Sequence, residues 1–189
     1  MPFSRGPFPS TADLDTARRV LLGYHPVSQE QRETLEQILA FINAHPENAH
    51  RRTCLSGHLT GSGFVLDHLG ERALLTHHRK LGRWLQLGGH ADGDANLPGV
   101  ALREATEESG INDLKIDPIP IDLDIHLIPA RPGEPEHLHF DTRFLIRADP
   151  QAVARVGEES LDLRWFAPDE LDGVETDNSV RRLFRIAFG

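Results

Sequence analysis

Two segments that alternate strictly between apolar and polar residues, Ile121 to Leu127 and His137 to Phe144, flank a Pro/Gly-rich stretch from Pro129 to Pro135. Strict alternation is the pattern of a strand with one buried face. Two such strands joined by turn-forming residues predict an antiparallel hairpin. That pairing fixes which side chains share a face. His137, His139, Asp141 and Arg143 fall on one side of the second strand, and Asp122, Asp124 and His126 on one side of the first. One register sets His126 opposite His139 and Asp124 opposite Asp141, with both polar sets on the same side of the sheet. Directly opposed aspartates are unfavourable without a cation or a proton. The surface therefore reads as a substrate wall or a second metal site, against the plainer reading of a solvated sheet face. A slip of one residue would remove the juxtaposition.

The rest of the chain supplies partners for this hairpin. His58 to Asp67 and Arg72 to His78 read as strands around a turn at His68 to Glu71, with Trp84 to Leu87 and Asp162 to Phe166 as further strands. Leu97 to Ser109 is an isolated helix stopped by Gly110, which suits the left-handed position after a helix. Pro168 to Leu171 and Ser179 to Phe188 are short helices. Strands mixed with helices in this way predict an α/β fold, a mixed sheet with helices packed on it. The first fifty residues differ, being helical throughout. Asp13 to Leu22 is one helix. A second opens on Ser28 with Gln31 reaching back as a capping box, repeats Leu35, Ile38, Leu39 and Ile42 at helical spacing, and ends at His45-Pro46. The expected division is an N-terminal helical extension over 1–50 and the main domain over 51–189, the extension covering one side of the domain or building a dimer interface.

Bulk properties narrow the partners. Hydrophobic residues make up 39% of the chain, enough for a packed core, and the net charge is -9. That balance argues against a nucleic-acid polymer or an anionic membrane as the main partner. An anionic small molecule remains open, because divalent cations invert the sign of an acidic site. The single cysteine, Cys54, excludes an intrachain disulfide. No apolar run approaches the roughly 18 residues of a membrane helix, and the first ten residues lack the apolar core of a secretion signal. A cytoplasmic protein, monomeric or homodimeric, is the expectation.

The helix from Leu97 carries the chemistry. Residues three and four apart share a helix face, so Glu104, Glu107 and Glu108 project together, while Leu102, Ala105, Thr106 and Ser109 can pack. Converging carboxylates repel one another unless a cation lies among them. Magnesium prefers such oxygen ligands and accepts phosphate oxygens beside them. Arg103, four residues before Glu107, is placed to orient that carboxylate. On the helix alone a solvated acidic face is the commoner explanation. The preceding Trp84-Leu85-Gln86-Leu87-Gly88-Gly89 shifts the balance, since two glycines allow a tight turn and let a carbonyl approach a ligand.

Together these residues resemble the Nudix hydrolase family. Gly89 opens the family's box and Arg103-Glu104-Ala105-Thr106-Glu107-Glu108-Ser109-Gly110-Ile111 closes it at the required spacing. The resemblance runs from about Ser56 to about Leu171, including Trp165 to Leu171, and leaves out the N-terminal helices. It implies an α/β/α sandwich with a mixed sheet and Mg2+ or Mn2+ as cofactor. The reaction it implies is hydrolysis of a phosphoanhydride bond in a nucleoside diphosphate linked to another moiety. It also implies metal binding by Glu104, Glu107, Glu108 and the carbonyl of Gly88. Glu107 and Glu108, with Glu158 and Glu159, are then the catalytic carboxylates, the last two as a further ligand or general base. Two positions depart from the pattern. Ala95 stands where the first box glutamate is usual, with Asp92 and Asp94 as nearby substitutes, and Leu87 stands in place of a proline. Loss of a residue that supports a metal site from outside weakens binding rather than abolishing it.

Other residues are assigned to substrate. His90, directly after the glycines, is placed to meet phosphate or to serve as an extra ligand. Arg79 and Arg83, with Lys80, form a small basic patch able to meet phosphates. His139 belongs to the polar hairpin face. His77 and His78 point opposite ways in a strand. Two alternatives stand beside the hydrolase: a non-catalytic nucleotide sensor, suggested by Ala95, and a zinc hydrolase built on His137, His139 and Asp141, for which no recognised zinc signature is present.

Overall fold

Gly61 and Gly63 on the first strand determine how closely the central helix can lie. A Cβ at Gly61 would sit 3.0 Å from the carbonyl oxygen of Leu97 and 3.1 Å from a methyl of Val100. A Cβ at Gly63 would press on Ile146 and come within 3.3 Å of the Ala105 methyl. The strand and the helix meet through glycines on one side and small residues, Ala101 and Ala105, on the other. Both alanines are fully buried.

The computed structural model describes residues 3–157 and 160–189. Two helices, α1 (Leu14–Leu22) and α2 (Gln29–Ala44), precede the sheet. Asp13 caps α1 through the amide of Asp15. Ser28 caps α2 through the amide of Gln31, and the Gln31 side chain accepts from the amide of Val27, one residue further back than a strict capping box. The strands are β1 (Gly57–Leu66), β2 (Ala73–His78), β3 (Arg83–Leu85), β4 (Leu87–His90), β5 (Lys115–Ile128), β6 (His137–Arg147) and β7 (Ser160–Phe166). Helix α3 (Leu97–Ser109) lies between β4 and β5, closed by Gly110 at φ 67°. A 3-10 turn over Pro168–Gly173 and helix α4 (Asn178–Phe188) end the chain.

The seven strands form one mixed sheet in the order β3-β2-β1-β6-β5, with β4 paired to β1 and β7 to β2. β1 and β6 run parallel and the other pairs antiparallel. The hairpin takes the expected register, with Asp124 opposite Asp141 and His126 opposite His139. β5 starts earlier than its alternation suggests, at Lys115. Its register shifts around Pro118 and Pro120, which an edge strand tolerates because no full strand pairs with its outer side, where the one partner is Ser4 bridging to Ile116.

β1 sorts the layers by its period of two. Leu59 and Val65 join a core with α1, α2 and α3 that includes Leu21, Ile38, Ile42, Leu97 and Val100. Phe64 and Leu66 join a separate core with Val180, Leu183 and Phe184 of α4. The result is an α/β/α sandwich in which the N-terminal helices share the core on the α3 side. Trp84 to Leu87 is not one strand. The chain leaves β2 after Leu85 and joins β1 from Leu87. Gly88 and Gly89 consequently lie within extended β4 and not in a turn. No helix among the described residues is long and apolar enough to cross a membrane.

The close approach at Gly61 can be tested by overpacking it. Gly61→Val should lower the unfolding free energy by about 1–3 kcal/mol in urea titrations, whereas Val27→Ala, at a position 87% exposed, should change it by no more than about 0.5 kcal/mol.

Candidate active site

On β1, His58, Thr60 and Ser62 share the face that Phe64 and Leu66 present to α4, but α4 does not extend over them. The uncovered end is a cleft of about 560 Å³. Its floor carries Thr60, Ser62, His126, His139 and Asp141, and Glu104, Glu107 and Glu108 line it from α3. Gly88 and Gly89 lie between the two groups, and a side chain at either would displace what now packs there. A Cβ at Gly89 would collide with the Glu104 carboxylate, and one at Gly88 with Ser62.

The carboxylates are individually held. Glu108 Oε2 accepts the Gly88 amide at 3.0 Å. Arg103 Nη2 donates to Glu104 at 2.6 Å and to the carbonyl of His90 at 3.0 Å. Anchored on that carbonyl, Arg103 orients Glu104, not Glu107 as helical spacing suggests. Burial pushes the Glu104 carboxyl above its ordinary value, Arg103 opposes this, and the charges of Glu107 and Asp92 add to it. Carboxylates gathered in this way form an oxygen-rich donor set suited to a hard divalent cation. The three glutamates and the backbone of Gly88 fit such an ion.

Neither proposed substitute for the missing glutamate reaches the cleft. Ala95 is fully buried, and its amide donates to Thr11. Asp94 accepts from the amides of Thr11 and Asn96, tying the N-terminal segment to the start of α3. Asp92 pairs with Arg52 through two hydrogen bonds of 2.7 Å. Asp92 and Asp94 are thus occupied elsewhere, although Arg52 itself lines the cleft.

The basic patch is also redistributed. Lys80 lines the cleft, but Arg79 and Arg83 do not. Arg79 donates to the carbonyl of Ser160 at 3.0 Å. Arg83 is exposed on the short strand β3. Arg131 on the hairpin loop lines the cleft and was not singled out by sequence. His77 stacks on Trp84 while its neighbour His78 lines the cleft, so the two diverge as strand geometry requires. Glu158 and Glu159 lie outside the described residues; Gly157 and Ser160, on either side of them, line the cleft.

The polar hairpin face is divided in two. At the α4 end it is buried, and arginines answer the opposed aspartates without any need for a metal. Arg143, 1% exposed, donates to Asp141 at 2.9 Å and to Asp122 at 3.1 Å, and its Nη2 lies 3.1 Å from Asp124. Arg182 of α4 reaches Asp122 and Asp124 at 2.9 and 2.8 Å. Thr60 and Ser62 donate to Asp141 at 2.9 Å, so this network also braces the cleft floor. At the open end four histidines gather. His139 Nε2 is 3.2 Å from His90 Nε2 and 3.3 Å from His137 Nε2, and His58 packs against all three rings. Burial and the neighbouring imidazoles lower His139 to about 2 and His58 to about 4, and burial with Arg52 lowers His90. His58 was not a sequence candidate. Its place opposite His139 depends on the parallel β1–β6 register, which local patterning does not encode.

Fold and cleft together define an enzyme of the α/β/α class with an acidic helix at a polar cleft. The chain belongs to the NUDIX domain family, whose model matches residues 58–184. It is thereby a hydrolase acting on acid anhydrides, and α1 and α2 fall outside the match. Comparison with curated proteins by sequence finds no match. Several solved structures share the fold. A Caenorhabditis elegans Ap4A hydrolase in a binary complex is 16% identical, with a TM-score of 0.55 over 68% of this chain and 93% of the other. A NUDIX family hydrolase from Clostridium perfringens is 24% identical, with a TM-score of 0.54 over 74% and 96%. The Escherichia coli dihydroneopterin triphosphate pyrophosphohydrolase is 17% identical, with a TM-score of 0.51 over 67% and 92%.

Arg143→Met would leave buried aspartates uncompensated and should destabilise the fold by about 3–5 kcal/mol at pH 7, measured by chemical denaturation. The effect should depend on pH. Burial alone would raise Asp124, but hydrogen bonds and charges from His126, Arg143 and Arg182 outweigh it and hold the carboxyl well below its usual range. Such a group stabilises the fold above its unfolded pKa of about 3.9 and loses that contribution as pH falls through its folded value. The gap between wild type and Arg143→Met should therefore be widest near neutrality and narrow below about pH 4.

Proposed function

We propose that the protein hydrolyses a phosphoanhydride bond in a nucleoside diphosphate linked to another moiety, with Mg2+ or Mn2+ as cofactor. The observation that carries this reading is the convergence of Glu104, Glu107 and Glu108 with Gly88 and Gly89 on one cleft. Glu104, Glu107, Glu108 and the Gly88 carbonyl would hold the ion. When bound, it supplies Lewis acidity toward the phosphate oxygens and the attacking water.

The chain's own groups do the rest. Arg103 keeps the Glu104 carboxylate turned toward β4. The amide of Gly88 fixes one oxygen of Glu108. Arg52, Lys80 and Arg131 line the cleft and place positive charge where substrate phosphates would enter. In this reading these residues take the substrate-binding role expected of Arg79 and Arg83, and His90 and His139 line the same cleft. Glu107 or Glu108, or from sequence Glu158 or Glu159, would accept the proton of the attacking water. The substrate is set by loops around the cleft: two neighbours of the same fold are named for different substrates, so the fold does not choose. Residues 51–189 form the catalytic domain in this reading, with 1–50 as an extension packed on it.

A panel of dinucleotides, nucleotide sugars, nucleoside triphosphates and coenzyme A derivatives, assayed with each metal, tests the proposal. Turnover of at least one should require Mg2+ or Mn2+ and vanish with EDTA. Glu107→Gln and Glu108→Gln should each lower kcat on the order of 100-fold or more while leaving the melting temperature within a few degrees. A folded protein that binds nucleotide but turns over nothing on the panel would establish the sensor reading instead.

A further inference from the structure

We propose that His58, His90 and His139 form a second metal site, for a borderline transition-metal cation of the zinc class, separate from the carboxylate site of α3. The ligands come from three adjacent strands, β1, β4 and β6, where His58 pairs with His139 and Thr60 with His90. One ligand nitrogen from each ring lies within 4.8 Å of the other two. Strands give such a constellation a rigid base.

Three features point to a cation and not to a hydrogen-bonded wall. Both nitrogens of His58 are buried without a partner, in a residue only 3% exposed. A buried unsatisfied polar group requires an explanation, and a bound ion is one that the surrounding rings supply here. His139 Nε2 faces two other Nε2 atoms, of His90 at 3.2 Å and of His137 at 3.3 Å. A neutral imidazole nitrogen offers either one proton or one lone pair, so it cannot bond well to both. Two nitrogens at tetrahedral angles on one zinc ion are about 3.3–3.4 Å apart, given Zn–N distances of about 2.0–2.1 Å, and the observed separations come close to that. Finally, His137 Nδ1 lies 2.8 Å from the carbonyl oxygen of Pro135. A carbonyl only accepts, so the proton is on Nδ1 and Nε2 presents a lone pair to the cluster. A carbonyl in that position is the usual support behind a metal-binding histidine, so His137 borders the three-histidine group with a lone pair turned toward His139.

Ligand chemistry separates the two sites. Imidazole nitrogens suit zinc and its neighbours, whereas carboxylate and carbonyl oxygens suit magnesium and manganese. The nitrogen site does not depend on anhydride hydrolysis, and either reading can fail alone.

The test uses full-length protein stripped with chelator and dialysed against limiting zinc. Metal analysis should find one zinc per chain in wild type and equally in the Glu107→Gln/Glu108→Gln double variant. His58→Asn and His139→Gln should each weaken zinc binding by more than the roughly 10–100-fold that loss of an outer-shell partner costs. Circular dichroism would establish that they fold. Cobalt substitution of wild type needs no variant: an intense visible spectrum of four-coordinate cobalt is expected, unchanged by excess magnesium. Zinc bound equally by the histidine variants, zinc lost with Glu107 and Glu108, or only the faint spectrum of six-coordinate cobalt would overturn the proposal.

Discussion

The contact between α3 and β1 governs the rest of the molecule. A helix normally stands off a sheet by the length of its side chains. Here Gly61 and Gly63 remove them from one partner, and Ala101 and Ala105 reduce them on the other. The carboxylates one turn further along α3 are brought against β4, where two more glycines admit them. Glu104 then occupies the space a side chain at Gly89 would fill, and Glu108 bonds the Gly88 amide. Without this approach the acidic residues would be an ordinary solvated helix face.

The opposite face of the same sheet is shared between stability and chemistry. Along β1, β5 and β6 the polar residues form one continuous set, and α4 covers only part of it. Under α4, Arg143 and Arg182 pair with Asp122, Asp124 and Asp141 in one hydrogen-bonded network. Beyond α4 the same strands present histidines and hydroxyls to the cleft. Asp141 belongs to both halves, held by Arg143 on one side and by Thr60 and Ser62 on the other. The buried ion pairs therefore fix the floor on which the cleft stands.

What was legible in the sequence followed local periodicity. The alternation of Ile121 to Leu127 and His137 to Phe144 announced the hairpin, and the register observed, with Asp124–Asp141 and His126–His139, is one that the alternation allows. The helical spacing of Glu104, Glu107 and Glu108 placed them on one cleft, and Gly110 marked the helix end. Features that depend on distant pairing were not legible. The parallel β1–β6 contact joins residues about eighty positions apart and decides that His58 meets His139. The switch of strand partner at Gln86 carries no proline or glycine to announce it. Arg103 was assigned to Glu107 by helical spacing, but the His90 carbonyl holds it beside Glu104. Asp92 and Asp94 sit close to the box in sequence, yet Arg52 and the amide of Thr11 claim them. Nearness along a chain says little about direction once tertiary partners compete for a side chain.

Membership of the NUDIX domain family accounts for the acidic helix, and the buried Ala95 shows that this chain holds its carboxylates without the usual first glutamate of the box. The central claim is that Glu104, Glu107 and Glu108 nevertheless form a working cation site. Crystals soaked in manganese, with anomalous diffraction recorded above its absorption edge, test this most directly. A manganese peak ligated by these carboxylates beside Gly88 is the predicted result. No manganese at the carboxylates, in crystals of protein that manganese activates in solution, would contradict it.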